Sequence, residues 1–177
     1  MPLYHEFEVS LLGIKPRIWR RFLLRSTATF ADLHNAIQAC GWDNCHLFVF
    51  RDRMGRPVAG IPDAESDEPD PDARRVKLSS HLGEGKERTC VYEYDFGDSW
   101  EHEVKLRGTA ELPDSFERRL LAGARAFPPE DCGGVPGYED CVRFATTGRG
   151  PKHLREWLDD WTPEAFDVEE AKREFDR

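Results

Sequence analysis

Apolar and polar residues alternate from the start of this chain. His5, Phe7, Val9 and Leu11 fall on one side of an extended backbone, and Tyr4, Glu6, Glu8 and Ser10 on the other, predicting a strand over 4–11. Gly13 and Pro16 interrupt the pattern, and Ile18 to Leu24 predicts a second strand. Ile18, Phe22 and Leu24 share a face there with Arg20, while Trp19 and Leu23 share the other with Arg21. A strand apolar on both faces belongs inside a sheet or beneath a helix.

The period then becomes helical. Thr29 is a natural N-cap with the Asp32 carboxylate over the first turn, Phe30, Leu33, Ile37 and Cys40 recur on one face, and Gly41 is a stop. Cys45 to Phe50 predicts a strand, and Val76 to Leu82 a short helical turn. Between them the acidic, proline-containing run 62–72 has nothing to bury, so a mobile loop is expected at about 62–75. A hairpin is expected over roughly 88–107.

Beyond it the pattern changes again. Asp114 with Glu117 suggests a helix start, Pro128-Pro129 breaks the chain, and Gly133-Gly134 with Gly137 predicts a compact loop. Tyr138 to Thr146 and Pro151 to Trp161 predict helices, and Asp167 with Glu170 caps a last one through Phe175. Strands gather in the first 107 residues and helices in the rest. The expectation is one α+β domain over 1–177, with an antiparallel or mixed sheet in the N-terminal two-thirds and helices packed on it in the C-terminal third.

The hairpin has two possible registers. A two-residue Gly97-Asp98 loop would set Tyr94 opposite Glu101 and leave both faces mixed. A loop of three or five residues sets Tyr94 opposite Trp100, Tyr92 opposite His102 and Cys90 opposite Val104, gathering the apolar groups on one face. The second is favoured by burial, and it places Glu93 opposite Glu101. Like charges so placed repel, so a cation should lie beside them. The expected source is the basic stretch Lys15-Pro16-Arg17-Ile18-Trp19-Arg20-Arg21, continuing to Arg25.

Composition narrows the function classes. A net charge of −9 with 33% charged residues makes the surface acidic, so nucleic-acid phosphates are repelled except at a local basic patch. No apolar run approaches membrane-spanning length and no N-terminal signal pattern is present, so a cytoplasmic location and no membrane partner are expected. The cysteines Cys40, Cys45, Cys90, Cys132 and Cys141 are odd in number and lack C-x-x-C spacing. Small core residues in a reducing compartment fit this better than disulfides or a zinc knuckle.

Several stretches together resemble the plasmid pRiA4b ORF-3-like family. They are Ile14 to Arg21, Asp32 to Gln38 with Gly41-Trp42, His46 to Phe50, Tyr94 to His102, Pro128 to Gly134, and Phe166 to Glu170. They run in the family's order over nearly the whole chain. Phe48 departs from it, standing where the family's His-Leu-His pattern would have a second histidine. The resemblance implies a largely uncharacterised protein of the kind described as passenger or TnpR-like proteins of mobile elements. No serine-recombinase motif accompanies it.

Three function classes follow. The first is a binding or interaction module for a protein, peptide or small ligand, using the aromatic face of the hairpin with Trp42 and Trp19. Its expected polar centre is Arg20, Asp95, Asp98, Trp100, His102, Glu130 and Asp131. The second is a nucleic-acid accessory protein acting through Lys15, Arg17, Arg20 and Arg21 in the stretch 15–25. The third is a metal-assisted hydrolase or nuclease with ligands among His46, His102, Glu130 and Asp131. The first is preferred, with no cofactor or metal expected. Asp95-Phe96-Gly97 lacks the other kinase motifs, the 62–72 loop lacks EF-hand spacing, and Gly133 to Gly137 lacks the P-loop lysine.

Overall fold

A computed structural model describes residues 1–177. Seven strands form one sheet: β1 (Leu3–Leu11), β2 (Trp19–Arg25), β3 (Phe48–Arg51), β4 (Pro57–Gly60), β5 (Thr89–Tyr94), β6 (Trp100–Glu111) and β7 (Arg118–Ala124). Their order is β4-β3-β5-β6-β1-β2-β7, with every neighbouring pair antiparallel. Four helices accompany them: α1 (Phe30–Gln38), α2 (Gly134–Thr147), α3 (His153–Leu158) and α4 (Val168–Phe175). The fold is α+β, and no helix is long and apolar enough to cross a membrane.

Alternation sorts the two faces of the sheet. Phe7, Val9, Phe22, Leu24, Tyr92, Tyr94, Trp100 and Val104 belong to one cluster of 30 buried residues, closed by Phe30, Leu33, Ala36 and Ile37 of α1 and by Phe175 of α4. Thr29 and Asp32 form a reciprocal capping box at the start of α1, as their spacing predicts. On the opposite face, Arg21 pairs with Glu6 and Glu8 at 3.7 and 3.6 Å, and Arg17 with Glu8 at 2.9 Å. A small apolar patch on Tyr4, Leu23 and Phe116 interrupts that charged face.

The hairpin adopts the register that gathers its apolar groups. Tyr94 pairs with Trp100, Tyr92 with His102, Cys90 with Val104 and Glu93 with Glu101, across a five-residue loop from Asp95 to Ser99. A cation does lie beside Glu93, but it is Arg51 of β3, with Nε 3.7 Å from Oε2. The Lys15–Arg25 stretch leads into β2, which β6 and β1 separate from β5, and it pairs with β1 instead. That corrects the expected arginine source: β3, not β2, lies beside β5.

Four element predictions change, the first being α2, which begins at Gly134 inside the predicted compact loop of Gly133, Gly134 and Gly137. The segment after Asp114 is not helical but forms edge strand β7, because the outer edge of β2 is open to pair with it. The Tyr4 hydroxyl anchors the turn, donating to the Asp114 carbonyl and accepting the Phe116 N–H, with the Phe116 ring stacked 4.0 Å from that of Tyr4. β3 begins at Phe48 rather than Cys45, since Asn44 turns at φ 54° and the Cys45 N–H goes to the Tyr94 hydroxyl. α3 spans only His153–Leu158 and stops at Asp159, φ 51°. The acidic loop is exposed through Pro62–Pro69, and its end is fastened where the Gly60 N–H donates to the Pro71 carbonyl and the Ala73 N–H to the Gly60 carbonyl.

Candidate functional site

Five side chains meet at the end of the sheet where β3 begins and β5 ends. Cys45 and His46 come from the approach to β3, Asp95 from the hairpin loop, and Glu130 and Asp131 from the loop before α2. His46 Nε2 lies 2.8 Å from Asp131 Oδ1, 3.6 Å from Asp95 Oδ2 and 3.8 Å from Glu130 Oε2. Cys45 Sγ is 3.4 Å from Glu130 Oε2 and 3.7 Å from the Tyr94 hydroxyl. Cys45, His46 and Glu130 present donor atoms all within 4.8 Å of one another, as do His46, Asp95 and Asp131.

Local structure holds each donor. Asp95 sits at φ 58°, and its Oδ1 accepts the N–H groups of Gly97 and Asp98, which leaves Oδ2 turned toward His46. Asp98 Oδ2 accepts the Gly133 N–H at 2.9 Å, tying the hairpin loop to the loop that carries Glu130 and Asp131. Gly134, at φ +69°, makes that approach possible, since a Cβ there would stand 2.7 Å from the Asp98 carbonyl oxygen. Glu130 accepts from the Asp43 N–H through Oε1 and from the Tyr94 hydroxyl through Oε2, both at 3.3 Å.

A closed ring of hydrogen bonds supports the Cys45–His46 segment from beneath. Gln38 Nε2 donates to the Tyr92 hydroxyl, whose proton goes to His34 Nδ1 at 2.7 Å. His34 Nε2–H then donates to Asn44 Oδ1, and the Asn44 N–H returns to Gln38 Oε1. This fixes Asn44, the residue before Cys45. Burial lowers the His34 pKa to about 4, which keeps the ring neutral. Phe48 stacks on His34 at 3.7 Å, so the position that departs from the family's histidine pattern lies in the core.

The electrostatics of the cluster are one-sided. No lysine or arginine nitrogen comes within 4.0 Å of Asp95, Glu130 or Asp131, whereas Glu6, Glu8 and Glu93 all have arginine partners. Partial desolvation opposes protonation of His46, but the carboxylates of Asp95, Asp131 and Glu130 outweigh it and raise the pKa. For Cys45 the Tyr94 hydroxyl favours the thiolate, yet desolvation and the Glu130 and Asp131 carboxylates push the thiol up overall.

The remaining candidate residues lie elsewhere. Arg20 is buried, donates to the carbonyls of Trp19, Ala124 and Arg125, and sits over the rings of Phe166 and Phe127 at 4.0 and 4.9 Å. Its burial lowers the pKa to about 10; it clamps β2 to the chain after β7 and does not reach the cluster. His102 is fully buried, with Nε2 accepting the Trp42 indole N–H and Nδ1 facing the Tyr92 and Trp100 carbonyls, so it is no metal ligand here. Trp100 is core. The aromatic face of the hairpin is buried too and forms no groove. Arg17 and Arg21 are engaged with β1 carboxylates, and Lys15 is exposed. Cys45 is the residue that sequence reasoning missed: it is exposed, unlike the buried Cys90 and Cys141. Its only sequence signal is adjacency to His46.

Residues 4–170 match the family model described as plasmid pRiA4b ORF-3-like protein. An uncharacterized protein, y4hQ of Sinorhizobium fredii (strain NBRC 101917 / NGR234), is 37% identical over 151 residues, 85% of this chain and 75% of the relative. The crystal structure of a protein of unknown function, MM3350 from Methanosarcina mazei Go1, superposes with a TM-score of 0.83 at 34% identity, covering 96% of each chain. Neither relative carries an assigned activity, and the order of elements, the hairpin and the loop before α2 are all within the matched range. The chain belongs to the plasmid pRiA4b ORF-3-like family.

Proposed function

We propose that the protein is a binding module whose ligand is a divalent cation, held at the cluster of His46, Asp95, Glu130 and Asp131 beside Cys45. One observation carries this reading. Three carboxylates from two separate loops close on one imidazole with no lysine or arginine among them, so at least two negative charges lack a counter-charge. Like charges brought together on a folded surface destabilise it unless a cation joins them. A divalent ion supplies the missing charge.

Binding is the reading preferred over hydrolysis because the larger clefts lie away from the cluster. Three open clefts of about 410, 490 and 460 Å³ lie elsewhere, and none is lined by Cys45, His46, Asp95, Glu130 or Asp131. A hydrolase needs room for substrate beside the ion as well as an open coordination position.

Thermal unfolding with Ca²⁺, Mg²⁺, Mn²⁺ or Zn²⁺ added to chelator-treated protein tests the reading. A ligand at 100 times its Kd adds about 2.7 kcal/mol of stability, so at least one ion should raise Tm measurably. Glu130→Gln with Asp131→Asn should remove that increase. If no divalent ion moves Tm, or the doubly substituted chain responds as strongly, the reading fails.

A further inference from the structure

We infer that the ion is a borderline-soft transition metal of the zinc class, and that the Cys45 thiolate is one of its ligands. This rests on the reading of the cluster as a cation site, and it goes further by naming the metal's chemistry and the atom that selects it.

The donor set argues first. Hard cations such as Ca²⁺ and Mg²⁺ take six or more oxygens and gain little from sulfur or imidazole. Here a thiol and an imidazole sit on consecutive residues beside three carboxylates, the combination that favours zinc-like ions. Both non-oxygen donors approach Glu130 Oε2, so thiolate, imidazole and carboxylate share one point in space.

The spacing argues second. Four ligands at about 2.0–2.3 Å from a tetrahedral ion lie roughly 3.3–3.8 Å from each other. In the triad of Cys45, His46 and Glu130, Cys45 Sγ to Glu130 Oε2 is 3.4 Å and His46 Nε2 to Glu130 Oε2 is 3.8 Å; Asp95 Oδ2, in a second triad that shares only His46, is 3.6 Å from His46 Nε2. The His46–Asp131 separation of 2.8 Å is a hydrogen-bond distance, too short for two ligands of one tetrahedral ion. Asp131 has an exposed side chain, 66% accessible, and a rotation of it brings it to ligand spacing or leaves the place to Asp95.

The surroundings argue third. Ligands of a metal are oriented by partners that hold their other atoms. Glu130 has the Asp43 N–H on Oε1, Asp95 has two N–H groups on Oδ1, and Tyr94 touches both Glu130 and Cys45. In Asp95 one oxygen is engaged and the other is turned toward His46, and in Glu130 the Oε2 that accepts from Tyr94 also faces Cys45 and His46. Binding replaces the Cys45 thiol proton with the metal and releases that proton to solvent, along with any proton on His46.

The full chain, stripped by chelator and reduced, should be titrated with Co²⁺ and then Zn²⁺ while the absorption spectrum is followed. One equivalent of Co²⁺ should produce a thiolate-to-cobalt charge-transfer band with the intense visible bands of four-coordinate cobalt, and Zn²⁺ should abolish both. Cys45→Ser should lose the charge-transfer band and weaken Zn²⁺ binding by at least about 100-fold, since losing even an orienting partner costs 10–100-fold. Tyr94→Phe should keep the band and bind about 10-fold more weakly. Because Cys45 is exposed, an unchanged far-UV circular dichroism spectrum of Cys45→Ser serves as the folding control. Co²⁺ binding without the band, equal Zn²⁺ affinity in Cys45→Ser, or displacement of Zn²⁺ by equimolar Ca²⁺ would overturn the inference while leaving a cation site in place. Absence of binding by any divalent ion would overturn both.

Discussion

The indole N–H of Trp42 donates to Nε2 of His102 at 3.0 Å, inside the covered face of the sheet. His102 Nδ1 lies 3.0 and 3.1 Å from the carbonyls of Tyr92 and Trp100, so it carries the ring proton and Nε2 must be the acceptor. Protonating Nε2 would set a donor against a donor. Burial and this arrangement keep the ring neutral, with its pKa lowered to about 4. The most conspicuous histidine of the family's signature is therefore a structural strut.

Replacing His102 by Leu should cost about 2–4 kcal/mol in denaturant unfolding, because the Trp42 N–H is left buried without an acceptor. Metal binding at the His46 cluster should persist in the folded fraction. Nitrogen chemical shifts of the ring in the unsubstituted protein should report the Nδ1–H tautomer from pH 7 down to pH 5.

Stability should fall on acidification. His34 and His102 both have folded-state pKa values near 4, against about 6.5 in an unfolded chain, so between those values the unfolded state binds more protons. Their contribution is fully present above pH 6.5 and is lost as pH falls toward 4, on the order of 3 kcal/mol per histidine. His46 has the opposite sign: its raised pKa adds stability below pH 6.5 that fades as pH rises through the folded value. His46 is partly exposed, so the acid loss should dominate in urea melts from pH 7.5 to 4.5.

Tyr92→Phe opens the ring of hydrogen bonds among Gln38, His34 and Asn44. Two buried groups lose their partner, at a cost of about 1–3 kcal/mol. Amide exchange should accelerate at Asn44 and Cys45 more than in β6, since the ring holds that turn.

At the cross-strand pair Glu93/Glu101, Glu101→Lys should stabilise the protein by about 0.2–1 kcal/mol by turning repulsion into attraction. Arg51→Ala should destabilise it by about 0.5 kcal/mol. Both effects should shrink in high salt.

Gly137→Ala should be severe, above about 3 kcal/mol, because the new Cβ would fall 1.7 Å from the Cys132 carbonyl oxygen. The displaced loop carries Glu130 and Asp131, so the Tm response to divalent ions should vanish with it. Gly148→Ala, at φ +68° with open space around it, should cost only about 1 kcal/mol.

Local periodicity was enough for the elements whose signal lies in neighbouring residues. The hairpin register followed from alternation in Cys90–Tyr94 and Trp100–Val104, and the starts of α1 and α4 from Thr29/Asp32 and Asp167/Glu170. β7 was illegible because Arg118–Ala124 has neither alternation nor strand-forming residues; it is extended because β2 has an open edge. Four of the five cluster residues were legible in advance, Asp95, Glu130 and Asp131 from turns rich in glycine and proline and His46 as an alternative metal ligand; Cys45 was not.

By itself the sequence determined which side chains face the core, where helices begin, and that Glu93 and Glu101 need a cation. Those depend on the backbone's period of two or 3.6 and on contacts a few residues apart. The tertiary structure alone decided which loops meet. It gave Arg20 and His102 their partners in other elements, took the cation for Glu93 from β3, and brought Cys45 and His46 to carboxylates some 50 to 85 residues away. Such meetings depend on strand order, which no local pattern encodes, because a strand's alternation fixes its faces and leaves its neighbours open.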